Sequence, residues 1–277
     1  MVLQEYAPHP ALREYIRTYR LVHFAFTKDG QPPFKAYPPR PEHCLTFYAQ
    51  DTEQVIYQGS GTEAGNLSTV LFGQQTEVTY RYVGRRFLLI QVVFTPGALY
   101  RMTGIPSTEI TNQYIDAETV FSKNIKYVNE QINDCKDYLE MVAVVDRFLL
   151  SQLRRRAGDA HGIDLATAQV FQLGDVPTVD QLARAACQSV RQFERSFKAR
   201  MGVSPKYYLK VFRFESAFRM KNLTPAKDWL SIALHCGYHD YQHLTRDYIS
   251  LTGHTPRDFH FIGLTGPERE FGEIDTY

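Results

Sequence analysis

Arg191, Gln192, Arg195, Ser196 and Lys198 fall within eight consecutive residues, and Gln242, His243 and Arg246 fall within five. Guanidinium, amide, hydroxyl and imidazole groups can read base edges in a major groove, whereas lysine suits phosphates. The two stretches belong to copies of one segment, SVRQFERSFKARMGVSPKYY (Ser189–Tyr208) and DYQHLTRDYISLTGHTPRDF (Asp240–Phe259). A constant offset of 51 pairs Phe193/Leu244, Arg195/Arg246, Phe197/Tyr248, Gly202/Gly253 and Pro205/Pro256. Each copy follows a short alanine-bearing stretch, Leu182–Cys187 or Ile232–Gly237. A helix, a tight turn and a second capped helix, present twice, is the plan of a paired helix-turn-helix reader of DNA.

The positioning elements can be read from spacing. A first helix is expected over Asp164–Leu173, ending at Gly174. Thr178 followed by Gln181 forms a capping box for the next, with Val179, Leu182, Ala183 and Ala186 on one face. Ser189 caps the following helix. There Val190, Phe193, Phe197 and Met201 face inward and turn Arg191, Gln192, Arg195, Ser196 and Ala199 outward. Lys198 and Arg200 are placed for phosphates. Gly202 stops this helix and Pro205 starts another. That connector, from Lys206 to about Asn222, contains Tyr208, Phe212, Glu215 and Arg219. Roughly 17 residues at about 1.5 Å each, plus helix widths, is compatible with two major grooves about 34 Å apart. In the second copy the turn is one residue longer and Asp240 is the cap. Tyr241, Leu244 and Tyr248 face inward, and Gln242, His243, Arg246 and Asp247 point out.

Charge follows the repeat. Residues 164–262 hold 13 Lys and Arg against 9 Asp and Glu, a net of +4, while residues 1–163 hold 17 of each. The end, 263–277, is acidic at 1 against 4. Such a local basic excess is what a polyanion-binding surface requires. The first copy is the more basic, so it is expected to supply most of the electrostatic affinity. The four cysteines are widely spaced with no CxxC pair, which disfavours a disulfide framework and a zinc ribbon. No signal peptide or membrane-length apolar run is visible, so a soluble cytoplasmic protein is expected.

Two domains of α+β class are expected. Residues 10–19 suit a short amphipathic helix. Short strands follow at Cys44–Ala49, Gln54–Gly59, Thr69–Gly73, Glu77–Gly84 and Arg86–Phe94, as an antiparallel barrel or sandwich. Helical periodicity then marks residues 117–133 and 137–156, whose helices could pack on their own sheet or pair across a dimer. The expected boundaries are 1–157 for the β-rich domain, 158–163 for a linker, 164–262 for an all-α double helix-turn-helix domain, and 263–277 for the acidic tail.

The C-terminal region resembles the AraC/XylS family of bacterial transcription regulators. The resemblance rests on ERSFKARMGVSP and TRDYISLTGHTP, which follow the family's SRxFxxxxG-x-[ST]P pattern, and on IALHCGYHD, which follows IAxxxGYxD. It departs at Val190, where proline is frequent, and at Tyr248, where phenylalanine is usual. It implies base-reading positions at Arg191, Gln192, Glu194 and Arg195, and at Gln242, His243, Thr245 and Arg246. The stretches LFGQQT and FTPGALYRMTGIPSTEITNQYIDAE resemble, more faintly, β-rich effector domains placed before such readers. The implied function is sequence-specific transcription regulation without a cofactor. Its implied partners are duplex DNA, RNA polymerase, a small-molecule effector of unknown identity and a second copy of the chain, with no membrane.

Other readings compete. Glu42, His43 and Cys44 are adjacent, but one turn or strand cannot aim three neighbours at one metal, which leaves ordinary loop polarity. His235, His239, His243 and His254 suit turns, helix ends and one DNA contact better than a metal. GSGTEAGN lacks the Lys-Ser/Thr of a phosphate loop and reads as a hairpin connection. A DNA-targeted enzyme transferring an alkyl group to Cys44 would need an activated thiolate, with adjacent His43 its sole support. A constitutive regulator whose N-terminal domain only makes protein contacts is the third reading.

Overall fold

The computed structural model describes residues 2–26, 34–121, 124–156, 159–171, 176–266 and 268–269. Its N-terminal part is two antiparallel sheets. One has the strand order β1 (Val2–Tyr6), β2 (Ile16–Ala25), β9 (Arg86–Phe94), β4 (Cys44–Tyr48), β7 (Thr69–Phe72) and β10 (Tyr114–Asp116). The other runs β3 (Lys35–Tyr37), β8 (Thr79–Val83), β5 (Glu53–Tyr57) and β6 (Glu63–Gly65). The sheets form a sandwich and not a closed barrel. GSGTEAGN contributes β6 as well as the turn that joins it to β5.

The larger sheet is covered on both faces, and its strands show why. In β4, Cys44 and Tyr48 point into the sandwich, while Leu45 and Phe47 point to the helices. In β9, Phe87, Leu89 and Val93 join the sandwich, and Ile90, Val92 and Phe94 face away. Such two-sided burial gives continuous apolar runs. The outer face is capped by α1 (Ala98–Thr103), α2 (Glu118–Phe121), α3 (Ile125–Asn133) and α4 (Tyr138–Arg156). The helices expected over 117–133 and 137–156 therefore bury their apolar faces on this sheet, through Ile125, Val128, Ile132, Met141, Val145 and Leu149. Residues 122–123 and 157–158, within the expected helix and at the expected linker, lie outside the described residues.

The helix expected over residues 10–19 is not formed. A single 3-10 turn occupies Pro10–Leu12, and β2 begins at Ile16, paired with both β1 and β9. Leu12, Tyr15, Ile16 and Tyr19 are all buried, which imitates helical spacing. The turn, followed by a register shift between Ile16 and Thr18, produces that spacing in a strand.

The C-terminal part is all helical: α5 (Gly162–Gln169), α6 (Val179–Ala185), α7 (Val190–Met201), α8 (Pro205–Leu223), α9 (Trp229–His235), α10 (Tyr241–Thr252) and α11 (Pro256–Gly263). The first of these starts two residues before Asp164, because His161 caps it. His161 Nδ1 accepts from the Ile163 N–H, and Asp164 Oδ2 accepts from the His161 N–H. The helix ends at Gln169 with Val170 as its C-cap, short of the expected Leu173, and residues 172–175 lie outside the described residues. One core packs α5, α6 and α7, and a second packs α8 to α11. Val78 from the turn before β8 is buried in the second core, so the domains share packing. From the acidic end, Glu268 is buried with its carboxylate 3.2 Å from the Lys35 ammonium. Among the described residues no helix is long and apolar enough to cross a membrane.

Candidate nucleic-acid interface

The two copies of the repeat fold alike because their caps are alike. Ser189 Oγ accepts from the Gln192 N–H at the start of α7, and Asp240 Oδ1 accepts from the His243 N–H at the start of α10. Gly202 and Gly253 end those helices at φ 86 and 76, where a residue with a Cβ is disfavoured. Ser204 and Thr255 then cap α8 and α11, with Pro205 and Pro256 in the first turn. The capping box of Thr178 and Gln181 at α6 is reciprocal. The extra residue of the second copy is His239. Gln188 and Tyr238 donate to Ala183 and Ala233, yet the caps follow one and two residues later.

On α7, Arg191, Gln192, Glu194, Arg195 and Lys198 are exposed, and Ser196 is half-buried. Ser189 is exposed, with its oxygen engaged in the cap. On α10, Gln242 and Arg246 are exposed, and His243 and Thr245 are half-buried. The Thr245 hydroxyl donates to the Tyr241 carbonyl at 2.9 Å. The His243 ring lies edge-on to Tyr238 and stacked on His239, and burial lowers its pKa, favouring the neutral ring. Phe193, Phe197 and Met201, and Leu244 and Tyr248, are the buried anchors that hold these faces outward.

Four expectations are corrected. Val190 and Tyr241, placed inward by periodicity, are 39% and 37% exposed. Each is the first residue after its cap, where the chain has not yet turned over the core. Asp247, placed outward, is buried with its oxygens 3.9 Å from Lys210 and 3.6 Å from Arg213 on α8. Arg200, placed for phosphates, is turned away from the recognition face. Its Nε donates to Asp164 Oδ1 at 2.6 Å, its Nη2 donates to Asp164 Oδ2, and its guanidinium lies 4.8 Å over the Tyr100 ring.

The Arg200 contact belongs to a seam between domains that no motif announced. Asp164 also faces Arg101 of α1 at 3.9 Å, and a side chain at Gly97 would collide with it. The Ser107 hydroxyl donates to the Arg200 carbonyl at 2.7 Å, and the Thr111 hydroxyl lies 3.3 Å from that of Gly202. Further along, the Tyr207 and Tyr208 hydroxyls donate to Thr76 and Pro41 carbonyls. The N-terminal domain thus holds the C-terminal end of α7 and leaves its N-terminal half exposed. Glycines at 97 and 202 were the sole sequence signal for so close an approach.

Inside the sandwich, space is scarce. A cavity of about 100 Å³ is lined by Arg20, Tyr37, Arg40, Glu53, Arg81 and Gln91 among others. Arg20 donates to both oxygens of Glu42, at 2.6 and 2.9 Å, which holds that carboxyl well below its ordinary pKa against the opposing effect of burial. Arg81 donates to Glu53 at 3.1 Å and lies 4.2 Å over the Tyr37 ring. Glu42, His43 and Cys44 therefore diverge. His43 is buried, with its pKa lowered by burial to about 4, and bonds the Met201 backbone. Cys44 sits in β4 with its thiol pKa pushed far up by burial, the reverse of the activated thiolate that alkyl transfer needs.

Comparison with known proteins bears on both regions. Residues 182–260 match the family described as "Helix-turn-helix domain", and residues 4–116 match a "Domain of unknown function (DUF6597)". The "HTH-type transcriptional regulator ArgR" of Pseudomonas aeruginosa is 31% identical over 109 residues, covering 38% of this chain and 32% of that protein. The match thus spans about a third of that relative's length. Among solved structures, an apo variant of ToxT from Vibrio cholerae is similar at a TM-score of 0.49 and 9% identity, over 88% of this chain and 97% of that one. The "AraC-like transcriptional activator CuxR" is similar at a TM-score of 0.29 and 11% identity, over 81% and 79%.

Proposed function

With an AraC-type helix-turn-helix domain as its C-terminal part, we propose that the chain is a sequence-specific DNA-binding transcription regulator. The observation that carries this reading is the pair of capped helices, α7 and α10, each presenting an uncommitted polar face. Arg191, Gln192, Glu194 and Arg195 read bases from the first helix, with Ser196 and the cap Ser189 beside them. Gln242, His243, Thr245 and Arg246 read them from the second. Lys198 holds a phosphate. The 19-residue α8 sets the distance between the two helices, so that they enter adjacent major grooves on one side of the duplex.

Residues up to about 157 form the controlling domain and residues from about 162 the reader. The seam at Asp164 is where an effector or a second copy of the chain would alter α7, by shifting an equilibrium between arrangements that do and do not fit DNA. RNA polymerase is the further partner that a regulator of this kind engages.

The test is selection of bound sites from randomised duplex DNA with the full chain, followed by affinity against salt. Enrichment of a site with two half-sites about one helical turn apart is expected. With about five phosphates neutralised, log affinity should fall with log salt at a slope near −4.5. No enrichment, or binding indifferent to salt, would defeat the reading.

A further inference from the structure

The room that the sandwich lacks lies between the domains. A cleft of about 850 Å³, open to solvent, runs between the β1–β2 edge and α8. That is the size of a small-molecule site, and a domain boundary is where such sites concentrate. At its wall stands Glu215 of α8, only 7% exposed. Among the described residues its carboxylate has no hydrogen-bond or ion-pair partner within reach. Its oxygens are not sealed from solvent, so a donor on a ligand in the cleft can take the place of water there.

Of the four cations that line the cleft, three are engaged by other groups, and of these the Lys227 ammonium donates to the Met220 sulfur at 3.6 Å. Arg17 donates to Glu42 at 2.7 Å and lies 4.7 Å over the Phe171 ring. Arg20 is held by the same Glu42. Arg219, one turn beyond Glu215, is exposed to solvent and its charge is screened. Beside Glu215 the rings of Phe171 and Phe212 meet edge to face at 5.3 Å, an apolar wall on which Arg17 already covers one face of Phe171. An ammonium group brings a positive charge and donors, and no acceptor, which complements Glu215; the cleft's other carboxylate, Glu5, already takes Arg20 at 3.3 Å.

We propose that this interdomain cleft binds a small organic ammonium ion, its charged group received by Glu215 and its apolar body laid against Phe171 and Phe212. Such a ligand touches β2 on one side and the connector helix on the other. Its effect on DNA affinity rests on the regulator reading, whereas its binding does not.

The experiment uses the full chain and three probes of one shape: benzylammonium chloride, benzyl alcohol and sodium benzoate, titrated by calorimetry at neutral pH. Benzylammonium should saturate a single site, with affinity in the millimolar range expected of so few atoms. Glu215→Gln, nearly isosteric, should weaken it at least tenfold, and Phe212→Leu severalfold. Benzoate or benzyl alcohol binding as tightly as the amine would overturn the proposal. So would unchanged amine binding by both variants. The amine is titrated without DNA, so loss of duplex binding in the same preparation would count against the regulator and not against the cleft.

Discussion

The two helix-turn-helix modules share one cap pattern and differ in what holds them. In the first, the buried carboxylate is Asp164, which takes Arg200 from the recognition helix and faces Arg101 from the other domain. In the second it is Asp247, which takes Lys210 and Arg213 from the connector, within its own domain. The first module is therefore bound to the N-terminal domain by charge, and the second by shared packing through Val78. The exposed faces differ as well. The first helix presents Arg191, Arg195 and Lys198, while the second presents one arginine, Arg246. A change in the N-terminal domain can thus reach the more cationic reader through a handful of polar contacts.

The sharpest way to break this comparison is to remove each carboxylate. Asp164→Ala leaves the partly buried Arg200 without its partner, and should cost about 3 kcal/mol in urea unfolding, the low end for such pairs because Arg101 keeps Glu14. Asp247→Ala, whose contacts are longer and whose cations are partly exposed, should cost about 1 kcal/mol. Equal losses would mean that the two anchors are equivalent.

A pH titration tests the same seam through His43, which bonds the backbone of Met201 at the end of α7. Its folded pKa of about 4 lies below the ordinary 6.5, so between these values the unfolded chain binds the extra proton. Stability should accordingly fall by about 3 kcal/mol as pH drops from about 6.5 to about 4. His43→Gln should flatten that window. An unchanged slope in the variant would show that another group titrates there.

Next come the readers. Arg191→Ala or Arg195→Ala should cost about 1–3 kcal/mol at a selected site and relax its sequence preference. Lys198→Ala should weaken every duplex alike. On random DNA Arg246→Ala should lose less than the combined substitutions in α7. If it loses as much, the first module does not dominate the electrostatics.

The smallest effect concerns the turns. Cys187 is exposed and holds φ 54 where the second module has Gly237 at φ 77. Cys187→Gly should stabilise the first module by about 0.5–1 kcal/mol, because the left-handed strain removed outweighs the chain entropy returned to the unfolded state. A loss of stability would mean that the cysteine side chain packs usefully.

Much of the reader was legible because it is local. Ser189, Asp240, Ser204 and Thr255 cap within three residues of themselves, and glycine and proline mark the ends. The errors arose where a distant partner intervened. Arg200 and Asp247 have the types and spacing of surface residues, and only the packing of α1 and α8 against them makes them interior. The strand from Ile16 looked helical because a turn and a bulge shifted the phase of its buried residues.

The sequence by itself determined the duplication, the caps, the apolar anchors of α7 and α10, and the basic excess of the first copy. These depend on backbone geometry over a few residues and on composition. Only the tertiary structure decided the order of the sheets, the seam at Asp164, the ion pairs that fill the sandwich and the cleft that holds Glu215. Those arise where chain segments 15 to 200 residues apart meet, and a carboxylate carries no local mark of whether a guanidinium from elsewhere will reach it.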